Sequence, residues 1–115
     1  MSISTIFFAV LSPTVPVTNA AATYITGAAN SQTLIKRAVV TNITGGAITF
    51  NLWRVPSGGT AVNGNLVLNT QSVGANSQYL LPELANMVLY AGDTIQIQAS
   101  ANTSLNFTAS GFTAQ

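Results

Sequence analysis

Charge is what this sequence has least of: Lys36, Arg37, Arg54, Glu83 and Asp93 are the whole complement in 115 residues. Soluble domains ordinarily carry about a quarter charged residues, and roughly that density keeps copies dispersed in solution. Thr, Ser, Asn and Gln stand in for the charges and give a surface that wets without repelling its like. Such a chain is suited to sit among copies or partners rather than to diffuse as a free enzyme. Lys36, Arg37 and Arg54 also make no basic stripe able to displace counterions, which excludes tight nucleic-acid binding.

Histidine and cysteine are absent altogether. With them go the commonest general base, the thiolate nucleophile, the disulfide framework and the zinc–thiolate site. A serine triad would have no base. Glu83 and Asp93 could act as a glycosidase pair only by flanking one bond, and each has a simpler role. Asp93 in Ala91-Gly92-Asp93-Thr94 is placed to bond its own turn. Glu83, just after Pro82, suits the first turn of a helix, where the dipole favours an anion. Two carboxylates are too few for a calcium site. The expectation is therefore no enzyme, no catalytic residue, no metal and no cofactor.

Long apolar runs are missing as well. The longest, residues 6–11, falls far short of the ~20 residues that span a bilayer, so no membrane partner is expected. No Lys or Arg precedes it, so it lacks the positive flank of an export signal. It reads as a first β-strand.

What the sequence has in abundance is short runs of Ile, Val, Thr, Phe and Tyr broken by Gly, Asn and Pro, with no helical period held for three turns. In residues 48–55, Ile48, Phe50 and Leu52 share one face, and Thr49, Asn51 and Trp53 the other. Residues 94–98 and 105–109 alternate in the same way, which puts one face on a core and one toward water. Further strands are expected at residues 3–11, 22–26, 33–43, 66–73, 77–81 and 87–89. Turns lie at Thr44-Gly45-Gly46, at residues 56–65, at Gly74-Ala75-Asn76 and at Ala91-Gly92-Asp93. Residues 82–86 could form one helical turn with Pro at its start. The fold class is all-β: a two-sheet sandwich of jelly-roll or immunoglobulin-like type with about eight short strands. A barrel is the runner-up.

Residues 1–21 form an N-terminal strand or arm, and residues 22–115 the sandwich, which has strands enough to fold alone. Pro13 and Pro16 suggest an extended segment crossing the surface. Residues 6–11 are apolar on both strand faces, and a strand of that kind is covered on both. The cover is either a segment of the same chain or a neighbouring subunit, so Ile6, Phe8 and Val10 are candidate interface residues. Adjacent Lys36 and Arg37 should point to opposite faces, one of them at the sandwich rim with its stem on the core. Trp53 falls on the polar face of its strand and is the fourth candidate interface residue, packed under a loop, an arm or another chain. Trp53 with Tyr24, Tyr79 and Tyr90 could alternatively offer a glycan platform. The sequons at Asn42, Asn102 and Asn106 need no glycosylation in a chain so rich in Asn and Thr.

Three stretches carry a resemblance. They are residues 39–59, with Thr41-Asn42-Ile43-Thr44-Gly45-Gly46-Ala47 at their centre, the turn and strand Leu89-Tyr90-Ala91-Gly92-Asp93-Thr94-Ile95-Gln96, and the strand Leu105-Asn106-Phe107-Thr108-Ala109-Ser110-Gly111. From Ala22 onward the chain resembles small β-sandwich virion structural proteins of tailed bacteriophages. The resemblance implies a capsid decoration (cement) subunit, made in the host cytoplasm and resident on the virion. It would assemble as a homo-oligomer, trimer favoured, bound to other virion proteins such as the major capsid protein. A receptor- or glycan-binding module of a tail, fibre or collar is the alternative, and an exported pilus-like subunit the second.

Overall fold

The computed structural model describes residues 6–114, with side chains from residue 8. Its strands are β1 (Ile6–Pro16), β2 (Ala22–Thr26), β3 (Gln32–Asn42), β4 (Ile48–Val55), β5 (Leu66–Val73), β6 (Gln78–Leu80), β7 (Met87–Leu89), β8 (Thr94–Ala99) and β9 (Leu105–Ala114). A single 3-10 turn, Asn63–Asn65, precedes β5. The part of the first strand expected at residues 3–5 lies outside the described residues.

One sheet runs β1-β9-β3-β6, with β7 also paired to β3, and the other runs β2-β8-β4-β5. All the pairings are antiparallel, and one set of them is nested: β1 with β9, β2 with β8, β3 with β6 and β7, β4 with β5; β3 with β9 and β4 with β8 then join these pairs into the two sheets. The chain is thus one long hairpin, closed between β4 and β5 and wrapped into two layers. That is the strand order of a jelly roll. The expected two-sheet sandwich forms, and the strand order selects jelly roll over immunoglobulin-like. The count reaches nine because one edge is split. β6 and β7 lie end to end along β3, opposite Val39–Thr41 and Thr33–Ile35, with the turn at residues 82–86 between them. That turn is a run of i→i+3 bonds rather than a helix, and it drops Leu81 and Leu84 into the core.

Period-two alternation builds the core. Ile95, Ile97 and Ala99 of β8 are buried beside Phe50 and Leu52 of β4. Across the layers lie Leu105, Phe107 and Ala109 of β9 and Ile35, Ala38 and Val40 of β3. Ile48, expected in this set, is half-buried at its margin.

Lys36 and Arg37 do not point to opposite faces, because both are exposed. The register of β3 against β9 slips between Ile35 and Arg37, so Lys36 is the extra residue of a β-bulge and the alternation resets there. Gly111 sits opposite: any Cβ on it would collide with the Leu34 carbonyl and crowd the Lys36 amide. The bulge and this glycine require each other.

The segment expected as strand or arm is a strand, β1, paired along β9 from Ile6↔Ala114 to Pro16↔Asn106. Pro13 and Pro16 fall in its second half, where the register shifts twice. Beyond it Val17 is fully enclosed in the core, its amide donating to Leu105 O at 2.8 Å. Thr18 then crosses to the second sheet, where its carbonyl accepts from Ala99 N and its amide donates to Tyr24 Oη.

Two polar clusters close the sandwich. At one, buried Asn42 donates from Nδ2 to the carbonyls of Gly46, Val73 and Gly74 at 2.8–3.1 Å. Its Oδ1 accepts from the amide and hydroxyl of Thr44. One side chain thereby ties the end of β3 to the end of β5 in the opposite sheet. At the other, Asp93 accepts from Arg54 Nη2 (3.1 Å), Ser57 N (3.0 Å) and Tyr90 N (3.1 Å). Arg54 also donates to Val88 O of β7, again across the layers.

Candidate functional site

Phe107 and Ala109 face the core, so the even-numbered residues of β9 face outward, Phe112 among them. Register carries that face across the sheet: Phe8 of β1 stands opposite Phe112, Phe112 opposite Leu34 of β3, and Leu34 opposite Val88 of β7. Four apolar side chains on four strands thus form one row. Phe8 is 85% exposed and Val10 of the same strand 72%, while Phe112, Leu34 and Val88 are half-buried by one another. The Phe8 and Phe112 rings lie 5.0 Å apart at 53°, within the favourable range for aromatic pairs.

The row is grooved rather than flat. A depression of about 360 Å³ opens between Leu34, Val88 and Phe112, and another of about 370 Å³ between Phe8, Val10 and Phe112, with Lys36 at its edge. No described residue covers Phe8 or Val10. A contiguous exposed apolar strip on a rigid sheet is the mark of an interaction surface; the other exposed large hydrophobics, Ile43, Val62, Leu80 and Tyr90, lie outside this row.

Two of the four candidate interface residues, Phe8 and Val10, lie on this strip. Ile6 lends its backbone to β1, but its side chain lies outside the described residues. Trp53 is elsewhere. It belongs to the outer face of the four-stranded sheet, as its phase predicts, yet it is only 8% exposed. Val55, on the same face, is buried too, with Gly59 of the following loop lying against it. The 3-10 turn at Asn63–Asn65 packs on β4. The loop of residues 56–65 therefore folds back over this face, and the cover of Trp53 is its own chain rather than a neighbour. The Trp53 indole N–H finds no partner there.

The aromatic platform does not assemble. Tyr24 packs edge-on to Phe107 and holds Thr18, and Tyr79 packs edge-on to Phe50. Among the tyrosines Tyr90 alone is freely exposed. The carboxylates are not paired either. Asp93 serves Arg54 and two backbone amides, while Glu83 accepts from Tyr79 Oη at 3.1 Å. Partial burial first, and then the Glu83 carboxylate, push the Tyr79 phenol above its ordinary pKa. Among the described residues no group of His, Cys, Asp or Glu could hold a metal ion.

The turn role expected for Asp93 is present, in its bond from Tyr90 N, but the Arg54 ion pair was not foreseen. Nor were Leu34, Phe112 and Val88 as members of the strip. Phe112 was within reach: the parity that buries 105, 107 and 109 sends 112 outward. Leu34 was hidden by the bulge at Lys36, which scrambles the parity of β3.

Set beside known proteins, the chain matches no family model, no curated protein and no solved structure.

Proposed function

We propose that this chain is a structural protein of a bacteriophage virion, a decoration subunit that stabilises the particle by binding it with a rigid face. The observation that carries the reading is the strip Phe8–Phe112–Leu34–Val88, which is apolar, uncovered and held on four hydrogen-bonded strands. The near absence of charge supports it, since desolvating Thr and Asn at a contact is easier than desolvating ions. Polar clusters at Asn42 and Arg54–Asp93 tie the two layers together, as a subunit that transmits load needs. The resemblance in residues 39–59, 89–96 and 105–111 is what supports a place on the virion.

Imaging of particles assembled with and without the chain tests this reading. Extra density on the shell and greater resistance of the decorated particle to heat or osmotic shock are the expected results. Particles that never take up the chain would overturn it. The polar cleft on the four-stranded sheet between Asn19, Asn51, Thr70 and Gln98 offers hydrogen-bonding groups to a glycan, whereas enclosed Trp53 offers no stacking face. Retention on polysaccharide, lost on Asn51→Ala, would favour that alternative.

A further inference from the structure

A sandwich has four sheet edges, and an unpaired edge invites another chain unless something blunts it. Three of the four edges are blunted along their length. The β6/β7 edge is two three-residue pieces separated by a turn that starts at Pro82. The β2 edge has five residues and a register break between Thr23 and Ile25. The β5 edge slips twice against β4 and holds Thr70 at φ 54°.

The fourth edge, β1, is blunted over only half its length. From Ser12 to Pro16 it has two register shifts and two prolines. Residues 6–10, in contrast, pair with residues 114–110 of β9 without a break, and their other side has no partner among the described residues. No charged residue and no proline lies in this stretch. It is a regular, apolar, uncharged edge, at the rim of the apolar strip.

We propose that residues 6–10 of β1 pair antiparallel with the same residues of a second copy about a two-fold axis, joining two five-stranded sheets into one. The occupant is a second copy because the edge is complementary to itself. With no charge on it, nothing opposes like meeting like. Parity also settles the faces: any antiparallel pairing about a two-fold axis matches even residues with even. Phe8 therefore meets an apolar residue of its partner (position 6, 8 or 10) in every such register. The outward row Val88–Leu34–Phe112–Phe8 then continues into the partner's row and doubles the strip. A two-fold contact closes on itself, so this edge favours a dimer over the trimer expected from the sequence. The proposal rests on the reading of the chain as an assembly subunit and specifies how it assembles.

Sedimentation equilibrium of the full chain over a broad concentration range is the first measurement, and a monomer–dimer equilibrium is expected. Phe8→Lys places like charges opposite or diagonal to each other across the axis, which is destabilising between paired strands, and Val10→Lys puts a charge among the apolar side chains that the contact brings together. Each should weaken dimerisation by about tenfold or more. Leu80→Lys, on the same outer face but at the blunted edge, should leave it unchanged. Mixing Phe8→Lys with Phe8→Glu should restore the dimer mass. Because Phe8 and Val10 are exposed, these variants should melt as the wild type does, and either one suffices if the other misfolds. Strictly monomeric wild type, a trimer, or a dimer indifferent to both lysines would each overturn the proposal. Particle binding separates its failure from that of the functional reading. Monomers that decorate particles remove only the two-fold contact, whereas dimers that no particle binds remove only the virion role.

Discussion

Asn42 makes more hydrogen bonds than any other side chain described, and it makes them from a side chain that is itself buried. Its amide nitrogen faces three carbonyl oxygens, so only a donor fits there. Asn42→Asp would set a carboxylate against those oxygens and should cost about 3 kcal/mol or more in a urea melt at neutral pH. Asn42→Ala should cost somewhat less. The same burial disposes of Asn42 as a glycan acceptor, whatever its sequon suggests. Trp53 carries the opposite condition, an indole N–H with nothing to bond. Its fluorescence should be blue-shifted and poorly quenched by iodide in the isolated chain, before any assembly. Emission typical of free tryptophan, fully quenched, would mean that the loop of residues 56–65 does not cover β4.

At the scale of elements, alternation was the readable signal and its interruptions the unreadable one. β8 and β9 carry strict period two, and their inward residues follow from the sequence. Phe50 and Leu52 of β4 do as well, and Phe50→Ala should destabilise by about 3–5 kcal/mol. A loss below about 1 kcal/mol would contradict the burial of that ring. The face of Trp53 was legible, but its cover was not. A loop of Gly, Pro and Asn has no period that says where it lies. The bulge at Lys36 was hidden for a different reason. Its determinant, Gly111, is remote in sequence, and only strand pairing brings the two together. β5 shows a bulge of another kind, where Thr70 holds the left-handed conformation that β-branched residues resist. Thr70→Gly should relieve that strain and raise stability by about 1 kcal/mol net of chain entropy, seen as a melting point a few degrees higher.

For the whole molecule, the two layers and their antiparallel strands could be read from composition and turn spacing, but the place of the N-terminal segment could not. Apolar residues on both faces of residues 6–11 marked a strand, but the cover expected on both faces is absent over Phe8 and Val10 within the described residues. Independence of the remainder was expected from strand number alone, and number says nothing of which core position each segment fills. Val17 occupies one, and β1 shields the length of β9. Deleting residues 2–20 should therefore abolish the cooperative melt, a larger effect than any single core substitution. A truncated chain that melts cooperatively near the wild-type temperature would show that β9 tolerates exposure.

The pairing of β1 with β9 has a consequence for how the protein comes into being. Strand β1 must wait for β9, which follows it by roughly a hundred residues. At typical synthesis rates of 5–20 residues per second that is a delay of roughly 5–20 s. Nested pairing makes most contacts distant along the chain, a topology that folds slowly. Through that interval the apolar residues 6–11 are without their mate. Several chains on one message would then expose the same sticky strand side by side. Slowing elongation over the codons of β9 should raise the insoluble fraction, and supplying β9 early, by a circular permutation that joins β9 to β1, should lower it.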